Sequence, residues 1–488
     1  MGMKNIKRKI ETIMLMQPNY SILGKRTWKL PPYNLAILKA CLREYNIFLY
    51  DPNFLDEPEA DIRKKVRDIK PDLVGLTSFS TEYIEEVMYH TKLIKQELPD
   101  AVVVLGGVLP TVWIDKIIQD KNVDYFIMGE GEYRFRELLN LLKSGSQSSS
   151  DVDGISFRKG GKPIINSHKY FIDDLDAIPF PNWGDLDYSK YSNYRMKYAP
   201  GILPRQFPFA TTLASRGCPY KCIFCAAKTV SGTKVRMRSA QNVLEEIEWY
   251  CKENNIKEMI FLDDHFFFNK KRAIDIMNGL IERKYGLTWK CANAAVFALD
   301  EELLNLMKLS GSYQLTLSIE SGDQDVVTNL IKKPINLKKA RERIELAKSY
   351  GFEIIVNFII GTPTETWDQI RRSLAYAASI DVDIVNIHIA TPLPKTELMD
   401  ICIREGILET EDCVSGYTTG QISTKEFTPF ELQVLRAFEW DRINFSSQKK
   451  LSKIASMSGL TLKEAQEWRK STRENLGSTI SWKSRFED

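Results

Sequence analysis

The sequence predicts an α/β protein with two parallel-sheet domains in tandem, followed by a helical C-terminal domain. Short runs of Val, Ile and Leu alternate with helical patterns over residues 12–144 and again from residue 209 to about 400. This alternation is typical of parallel sheets whose two faces are covered by helices. From about residue 400 onward the strand rhythm stops, and aromatic residues are scattered through helical sequence.

Five apolar runs mark the strands of the first domain, which we assign to residues 1–144. Between them, apolar residues recur at helical spacing, as Leu35, Leu38 and Leu42 do. Five β–α units make a doubly wound parallel sheet, in which ligands bind at the carboxyl ends of the strands. The runs are 12–18, 46–52, 73–78, 102–107 and 124–131.

Residues 145–208 are predicted to be a linker. The stretch 145–150, GSQSSS, has the composition of a flexible connection, and 154–166 has the pattern of a small hairpin with Gly160-Gly161 at its turn. We expect His168, within this linker, to be structural.

Six further strand patterns define the second domain, assigned to residues 209–400. Six β–α units indicate a partial (β/α)6 barrel, shorter than the closed eight-unit (TIM) barrel. Residues 401–488 are assigned to the helical domain. The six runs are 209–215, 258–264, 288–294, 313–321, 353–361 and 384–392.

Composition narrows the function class. The chain has 488 residues with 67 Lys+Arg against 64 Asp+Glu, a net charge of +3, whereas nucleic-acid binding needs a clustered basic excess. No apolar run approaches the roughly 20 residues of a membrane span. The apolar stretch 13–16 is too short for a signal peptide. We therefore expect a cytoplasmic protein with no nucleic-acid partner and no membrane span.

Three of the eight cysteines lie within eight residues, directly after the first strand of the second domain. Cys218, Cys222 and Cys225 have the spacing C-x3-C-x2-C in SRGCPYKCIFCAAK. Thiolates are the ligands of iron–sulfur clusters, and a four-iron cluster normally takes four of them. Three thiolates leave one iron open to a substrate or cofactor. The alternative, zinc, needs a closed set of four ligands, and no fourth His or Cys stands nearby.

The remaining cysteines are scattered along the chain. We expect them to be small buried hydrophobes. They are Cys41, Cys251, Cys291, Cys402 and Cys413.

The cysteine triplet resembles that of the radical S-adenosylmethionine (radical SAM) superfamily. In that family it binds a [4Fe-4S] cluster whose open iron chelates SAM, and the aromatic before the third cysteine, here Phe224, lies against adenine. One-electron reduction splits SAM into methionine and a 5′-deoxyadenosyl radical, which attacks unactivated C–H bonds. The resemblance thus implies an external reductant of flavodoxin or ferredoxin type.

Other segments extend the resemblance to residue 398, each at a strand end. Segment 262–264 occupies the position of the SAM-amino motif, with Asp263 and Asp264 in place of the commoner Gly-Gly-Glu. Segment 318–322 resembles the ribose-contacting segment, which implies contacts by Glu320 and Ser321.

Two later segments complete the resemblance in the second domain. Segment 358–365 resembles the adenine-flanking motif and contains Gly361, and 391–398 resembles a closing P-x-P-G-T motif with Lys395 where Gly is usual. Alone, each of the four segments has an ordinary alternative, such as a helix cap, a salt bridge or a turn. All four segments, however, lie at successive strand ends after the cysteine triplet. This shared placement favours interpreting them together as motifs of the radical SAM family.

The first domain resembles the Rossmann-like cobalamin-binding domain of one radical SAM branch. The matching pieces are 30–32, 74–78, 106–111 and 129–132, and small residues there let the backbone approach a large corrin. The alternative is an ordinary doubly wound domain with a nucleotide or nothing bound. The cobalamin contacts implied are Thr77, Ser78, Gly106, Gly107, Gly129, Glu130 and Gly131.

The histidines are less informative. The motif Asp-x-His-x-x-Gly, which supplies a histidine to cobalt in other B12 proteins, is missing. We expect His90 to be a partly exposed helix residue and cobalt to have no histidine ligand, with the dimethylbenzimidazole tail tucked into the sheet. For His265 the alternatives are that it lines the SAM site or that it simply packs against its neighbours. For His388 they are a contact with substrate inside the barrel or no role in substrate binding.

The resemblance implies a cobalamin-dependent radical SAM methyltransferase that methylates an unactivated carbon of a small-molecule or natural-product substrate. No acid or base catalyst is identified. One alternative is a non-methylating enzyme of the same architecture, such as a cyclase or a ring-contracting enzyme. Alternatives of other classes are a cobalamin- or redox-sensing binding protein and a zinc-stabilised interaction module.

Overall fold

The computed structural model describes residues 9–26, 28–144, 152–184, 186–409 and 417–476. The predicted flexible stretch 145–150 and Cys413 lie outside these residues. The described residues form two compact units: the first comprises those up to residue 191 together with 229–231, and the second comprises 192–228 and those from 232 to 476. None of the helices in the described ranges combines the length and apolar character that crossing a membrane requires.

The first unit is built on a seven-stranded sheet in the order β2-β1-β3-β4-β5-β6-β7. Strands β1 to β5 are parallel and match the five predicted runs, which confirms the doubly wound sheet. The strands are β1 (Thr12–Met16), β2 (Asn46–Tyr50), β3 (Leu73–Ser78), β4 (Val102–Gly107), β5 (Tyr125–Ile127), β6 (Ile155–Lys159) and β7 (Lys162–Ile164).

The hairpin that the sequence places in a linker is part of this sheet. Strand β6 pairs antiparallel with β5, and β7 pairs antiparallel with β6. The backbone of β6 thus satisfies the open edge of β5, which a short-range turn pattern alone does not reveal. The limits assigned to the four domains stay predictions.

Helices cover the sheet with their apolar faces. Strand β3 is buried along its whole length, as expected of a strand packed on both sides. The helices of this part of the chain are α1 (Tyr33–Cys41), α2 (Pro58–Ile69), α3 (Ile84–Glu97), α4 (Val108–Ile117), α5 (Gly131–Ser144) and α6 (Tyr188–Ser192).

His90 is fully buried in α3, so the expectation of a partly exposed residue is wrong. Its Nε2 accepts a hydrogen bond from the Asn19 backbone N–H at 3.1 Å, and its Nδ1 donates to the Glu86 carbonyl. Burial lowers the pKa of His90 to about 4, so the imidazole is neutral. The helix pattern placed His90 in α3, but the loop after β1 that covers it comes from 71 residues away.

The second unit contains the six predicted parallel strands in chain order. They form two three-stranded sheets, β8-β11-β12 and β13-β14-β15, and isolated bridges join Trp289 to Ser312 and Ala294 to Leu317. This confirms the partial barrel. The described strands of this unit are these six and a short antiparallel pair, β9 and β10: β8 (Phe209–Thr212), β9 (Ser215–Arg216), β10 (Arg236–Met237), β11 (Glu258–Phe261), β12 (Thr288–Cys291), β13 (Gln314–Glu320), β14 (Glu353–Ile360) and β15 (Ile384–Ile389).

The helices that follow the barrel strands begin at side-chain N-caps. Ser239, for example, accepts a hydrogen bond from the backbone N–H of Asn242. The helices are α7 (Ala227–Val230), α8 (Ala240–Asn254), α9 (Lys270–Arg283), α10 (Glu301–Leu309), α11 (Leu337–Ser349), α12 (Trp367–Ser379), α13 (Glu397–Glu405), α14 (Pro429–Asn444), α15 (Gln448–Met457) and α16 (Leu462–Glu474).

The amino-terminal end of the barrel is closed by a buried lysine. Lys290 in β12 donates hydrogen bonds to the Leu203 carbonyl at 2.5 Å and to Gln314 Oε1 at 2.9 Å. Burial lowers its pKa to about 7. The Lys290 amino group is thus fixed by partners inside the protein, and in barrels of this kind function belongs to the carboxyl ends of the strands.

Candidate functional site

The cysteine loop follows β8 and β9 because Gly217 permits a close backbone crossing. Gly217 has φ +94°, and a Cβ there would lie 2.4 Å from the Lys234 carbonyl oxygen. Next to it, the Cys218 N–H donates to the Gly232 carbonyl at 3.1 Å. The loop is thereby fixed at the carboxyl end of the first barrel strand.

The middle of the loop is held from two other strand ends. The Ile223 N–H donates to the Ile331 carbonyl at 3.2 Å, and the Leu398 N–H donates to the Ile223 carbonyl at 2.8 Å. Ile331 lies beyond β13, and Leu398 ends the predicted closing motif. The structure thus brings the motifs of the first, fourth and sixth strands together.

The three cysteines of the loop are half-buried and form no disulfide. Burial raises the pKa of each thiol, that of Cys222 to about 12, and the positive charge of Lys333 opposes the rise. Thiols in this state become ligands when a metal centre supplies positive charge. Phe224, half-buried between Cys222 and Cys225, lies in the same loop.

Three thiols on one short loop match the ligand number of a four-iron cluster with one open iron. A structural zinc site takes a closed set of four ligands, whereas a four-iron cluster distributes its thiolates over different irons.

The two predicted aspartates have different surroundings. Asp263 is fully buried, and its carboxylate accepts hydrogen bonds from the Ala214 N–H at 3.0 Å and from the Ser215 hydroxyl. Burial raises its pKa to about 6. Asp264 is exposed, and its negative charge adds to burial in raising the pKa values of Cys218 and Cys225. Asp263 therefore ties two strand ends together, and Asp264 lies near enough to the cysteine loop for its charge to act on the thiols.

The adjacent residues Glu320 and Ser321 also have different surroundings. Glu320 has φ +74° at a bulge in β13, and its Oε1 lies 2.6 Å from Lys333 Nζ. The same Lys333 acts on the cysteine thiols, so Glu320 belongs to the site. The Ser321 hydroxyl is hydrogen-bonded to Ser373 Oγ in α12 at 2.7 Å. Its side chain is engaged in helix packing.

Gly361 makes room for α14. Its φ is +83°, and a Cβ there would lie 2.3 Å from Leu432 Cδ1. The backbone N–H groups of Gly361 and Thr362 donate to Glu365 Oε2 at 2.8 and 3.0 Å. The other carboxyl oxygen of Glu365 is buried without a partner, and burial raises the pKa of Glu365 to about 7.

Sequence reasoning missed Lys333 and the role of Tyr220. Lys333 stands in Lys332-Lys333-Pro334, and nothing in the chain distinguishes it from the neighbouring lysine. The Tyr220 ring, inside the cysteine loop, lies 5.5 Å from the His265 ring. His265 therefore packs beside the loop, while both its ring nitrogens are buried without a partner.

The predicted cobalamin loops meet at one edge of the first sheet. Gly107 has φ +90°, and a Cβ there would lie 2.3 Å from the Ser78 carbonyl oxygen. The Thr111 hydroxyl donates to the Gly107 carbonyl at 2.6 Å and accepts from the Gly129 N–H at 2.8 Å. The ends of β3, β4 and β5 are thereby fixed side by side, with Gly106 in the same edge.

Not every residue of this edge has a free side chain. The Thr77 hydroxyl accepts a hydrogen bond from Asn34 at 2.6 Å, and the Ser78 hydroxyl donates to the Ser80 carbonyl at 3.0 Å. Glu130 Oε2 accepts the Ile172 N–H at 2.6 Å. Gly131 begins α5.

His168 packs against this edge of the sheet. A Cβ added at Gly129 would lie 3.0 Å from His168 Cδ2. What the loops offer a ligand is therefore mainly closely approachable backbone, as expected for a large planar cofactor.

Comparison with known proteins identifies the class. The Radical SAM superfamily model matches residues 212–377, and the B12 binding domain model matches residues 21–139. The chain belongs to the radical SAM enzymes that carry a B12-binding domain, whose cofactors are a [4Fe-4S] cluster, SAM and cobalamin.

Individual relatives agree with this assignment. The chain is 31% identical over 409 residues to an uncharacterised methyltransferase of Pyrococcus horikoshii, covering 83% of this chain and 86% of the relative. It is 31% identical over 389 residues to the cytidylyl-2-hydroxyethylphosphonate methyltransferase of Streptomyces wedmorensis, covering 74% of this chain and 72% of the relative. The solved structure of the cobalamin-dependent SAM radical enzyme OxsB shares the fold, with TM-score 0.73, 17% identity, and coverage of 96% of this chain and 72% of that one.

Proposed function

We propose that the chain is a cobalamin-dependent radical SAM C-methyltransferase acting on an unactivated carbon of a small-molecule substrate. The observation that carries the proposal is the cysteine loop. Three half-buried thiols stand at the carboxyl end of the first barrel strand, beside the Glu320–Lys333 pair. The methyltransferase relatives support the choice of reaction.

The chain's own residues take distinct parts in this proposal. Cys218, Cys222 and Cys225 hold the cluster, and Phe224 borders SAM. Asp264 and Glu320 are the acidic groups placed to receive the SAM ammonium, because both lie near the thiols, while Lys333 offsets negative charge there. Positioning residues hold these groups in place: Asp263, Ser321 and Gly361.

The first unit contributes the cobalamin edge. Thr77, Ser78, Gly106, Gly107, Gly129 and Gly131 present backbone to the corrin, and Glu130 holds the segment at Ile172. Both ring nitrogens of His90 are engaged in hydrogen bonds within the unit, so this proposal gives His90 no part in binding cobalt. When bound, the cofactors supply an electron for SAM cleavage and a methyl group for transfer, and an external one-electron reductant of flavodoxin or ferredoxin type feeds them.

The test is an anaerobic preparation with added cobalamin, in which iron, sulfide and corrinoid are quantified and products from SAM are measured after reduction. A methyltransferase of this kind uses one SAM as methyl donor and a second as radical source. We therefore expect both S-adenosylhomocysteine and 5′-deoxyadenosine, and a substrate mass increased by 14 per methyl group, about the mass of CH2.

The matched control is a second half-buried cysteine. Cys222→Ala is expected to abolish 5′-deoxyadenosine release, whereas Cys251→Ala, in α8 outside the loop, is expected to retain it. Release of 5′-deoxyadenosine without S-adenosylhomocysteine would indicate the non-methylating alternative. An iron-loaded protein that releases neither would indicate a sensing protein, and zinc without iron would indicate an interaction module.

A further inference from the structure

Helix α14 lies along the open edge of β15, the last barrel strand. Asn444 pairs with both backbone groups of Val385 at 2.8 Å, and Arg436 Nε donates to the Ile387 carbonyl at 3.0 Å. These contacts satisfy the edge of the sheet. They place the Arg436 guanidinium at the carboxyl half of the sixth strand.

The hydrogen bond from Arg436 Nε to the Ile387 carbonyl does not neutralise the positive charge of the guanidinium. The residue is 8% exposed, and its Nη1 is buried without a hydrogen-bond partner. Burial is the sole cause that lowers its pKa to about 10, and no carboxylate of the described residues forms an ion pair with it. A guanidinium withdrawn from water without a counter-charge is costly, so a compensating anion is expected.

His388, the residue that follows Ile387 in β15, supplies a second unpaired group. Its Nδ1 is buried without a partner, and its ring lies 5.8 Å from the Tyr417 ring. Burial and the Arg436 charge lower its pKa to about 4, so the ring is neutral and one ring nitrogen can donate.

The neighbouring half-buried side chains of the barrel strands are uncharged. Asn386 donates to Asn357 at 2.9 Å, Asn357 to Ser318 at 3.3 Å, and Ser318 to Asn293 at 3.0 Å. This row crosses β15, β14 and β13 and reaches the segment after β12. Its amides and hydroxyl leave the positive charge of Arg436 uncompensated.

We propose that Arg436 and His388 form a subsite for an oxyanion of the substrate, a carboxylate or a phosphate group, bound between Nη1 of Arg436 and Nδ1 of His388. The assignment to substrate rests on the proposed function, because substrates of barrel enzymes bind at the carboxyl ends of the strands. The guanidinium fork matches the geometry of such groups.

The test compares thermal unfolding of the full-length, cluster-loaded protein in sodium phosphate, sodium acetate and sodium chloride at equal ionic strength. Phosphate, acetate or both are expected to raise the wild-type midpoint saturably, by about 2–4 °C at ten times the dissociation constant. Arg436→Met is expected to lose this shift. Arg469→Gln is the matched control, because Arg469 already pairs with Asp441.

A second measurement follows the site directly. The chain has four histidines, so 15N-histidine labelling with His388→Gln for assignment gives a resolvable ring signal. The His388 signal should move on titration with phosphate or acetate in the wild type and in Arg469→Gln, but not in Arg436→Met, or in Arg436→Lys should Arg436→Met not fold. A wild-type His388 signal that moves with neither anion would overturn the proposal, as would a full response in the Arg436 variant. An anion response in a protein that releases no 5′-deoxyadenosine would overturn the proposed function and leave the oxyanion site standing.

Discussion

Lys333 Nζ lies 2.6 Å from Glu320 Oε1, and the two side chains are 13% and 7% exposed. Glu320 ends the fourth barrel strand, and Lys333 follows 13 residues later, beyond the turn of π-helix at Val326–Leu330. The pair connects a motif visible in the sequence to a residue that the sequence did not single out. It also sets the charge beside the cysteine thiols.

Breaking this pair should destabilise the second unit. Lys333→Met leaves the Glu320 carboxylate buried and unpaired, which costs ~3–5 kcal/mol in comparable pairs. Urea unfolding measures the loss, and the double variant Lys333→Met/Glu320→Leu should recover much of it. The affinity for SAM, measured by equilibrium dialysis on the cluster-loaded protein, should be lower in Lys333→Met than in the wild type. It should remain lower in the double variant, although stability is recovered there. Affinity equal to the wild type would make the pair purely structural.

Gly217→Ala should strongly reduce the amount of iron that the cysteine loop binds. The added Cβ would lie 2.4 Å from the Lys234 carbonyl at a φ of +94°, so the backbone crossing must open. Iron quantification after anaerobic reconstitution should show most of the metal lost. Gly286→Ala is the control, because Gly286 also has positive φ, +66°, but nothing lies within 4 Å of its Cβ position. Equal iron in the two variants would contradict the assigned role of Gly217.

Gly107→Ala should weaken cobalamin binding. Its Cβ would lie 2.3 Å from the Ser78 carbonyl, so the ends of β3 and β4 must separate. A shift of this edge should lower affinity by about tenfold or more, roughly 1.4 kcal/mol. Absorbance titration with hydroxocobalamin measures it. Gly160→Ala, at a turn with φ +60° and nothing within 4 Å, should bind as the wild type does, and parallel loss in both would indicate general strain.

Asp263 should make stability depend on pH in a defined direction. Its pKa is raised from the ordinary 3.8 to about 6, so between these values the folded state holds a proton that the unfolded state has released. Its contribution to stability therefore falls as the pH rises through this window and is constant above it. From about pH 5 to pH 7 the wild type should lose about 1–2 kcal/mol more than Asp263→Asn. Urea unfolding measures the free energy of unfolding of both proteins at each pH. Free energies that change in parallel from pH 5 to pH 7 would refute this prediction.

The sequence by itself determined the eleven parallel strands and the helical C-terminus, because strand and helix patterns are local. It also determined the cysteine triplet, whose three thiols arrive on one short loop whatever the rest of the chain does. The tight crossings at Gly107 and Gly217 do not belong with these, because the backbone atoms that a Cβ would meet there are those of Ser78 and Lys234, elsewhere in the sequence.

Only the tertiary structure decided which predicted polar residues are available to a ligand. Asp263 and Asp264 are adjacent in sequence, yet one carboxylate is tied to the segment after β8, 48 and 49 residues away, and the charge of the other acts on the thiols. Glu130 is likewise occupied by Ile172, and His90 by Asn19. Hydrogen-bond partners and burial depend on which distant segments pack together. The unpaired charge of Arg436 is a further example, because it arises where α14 packs along the edge of β15. Local periodicity carries no information about these contacts.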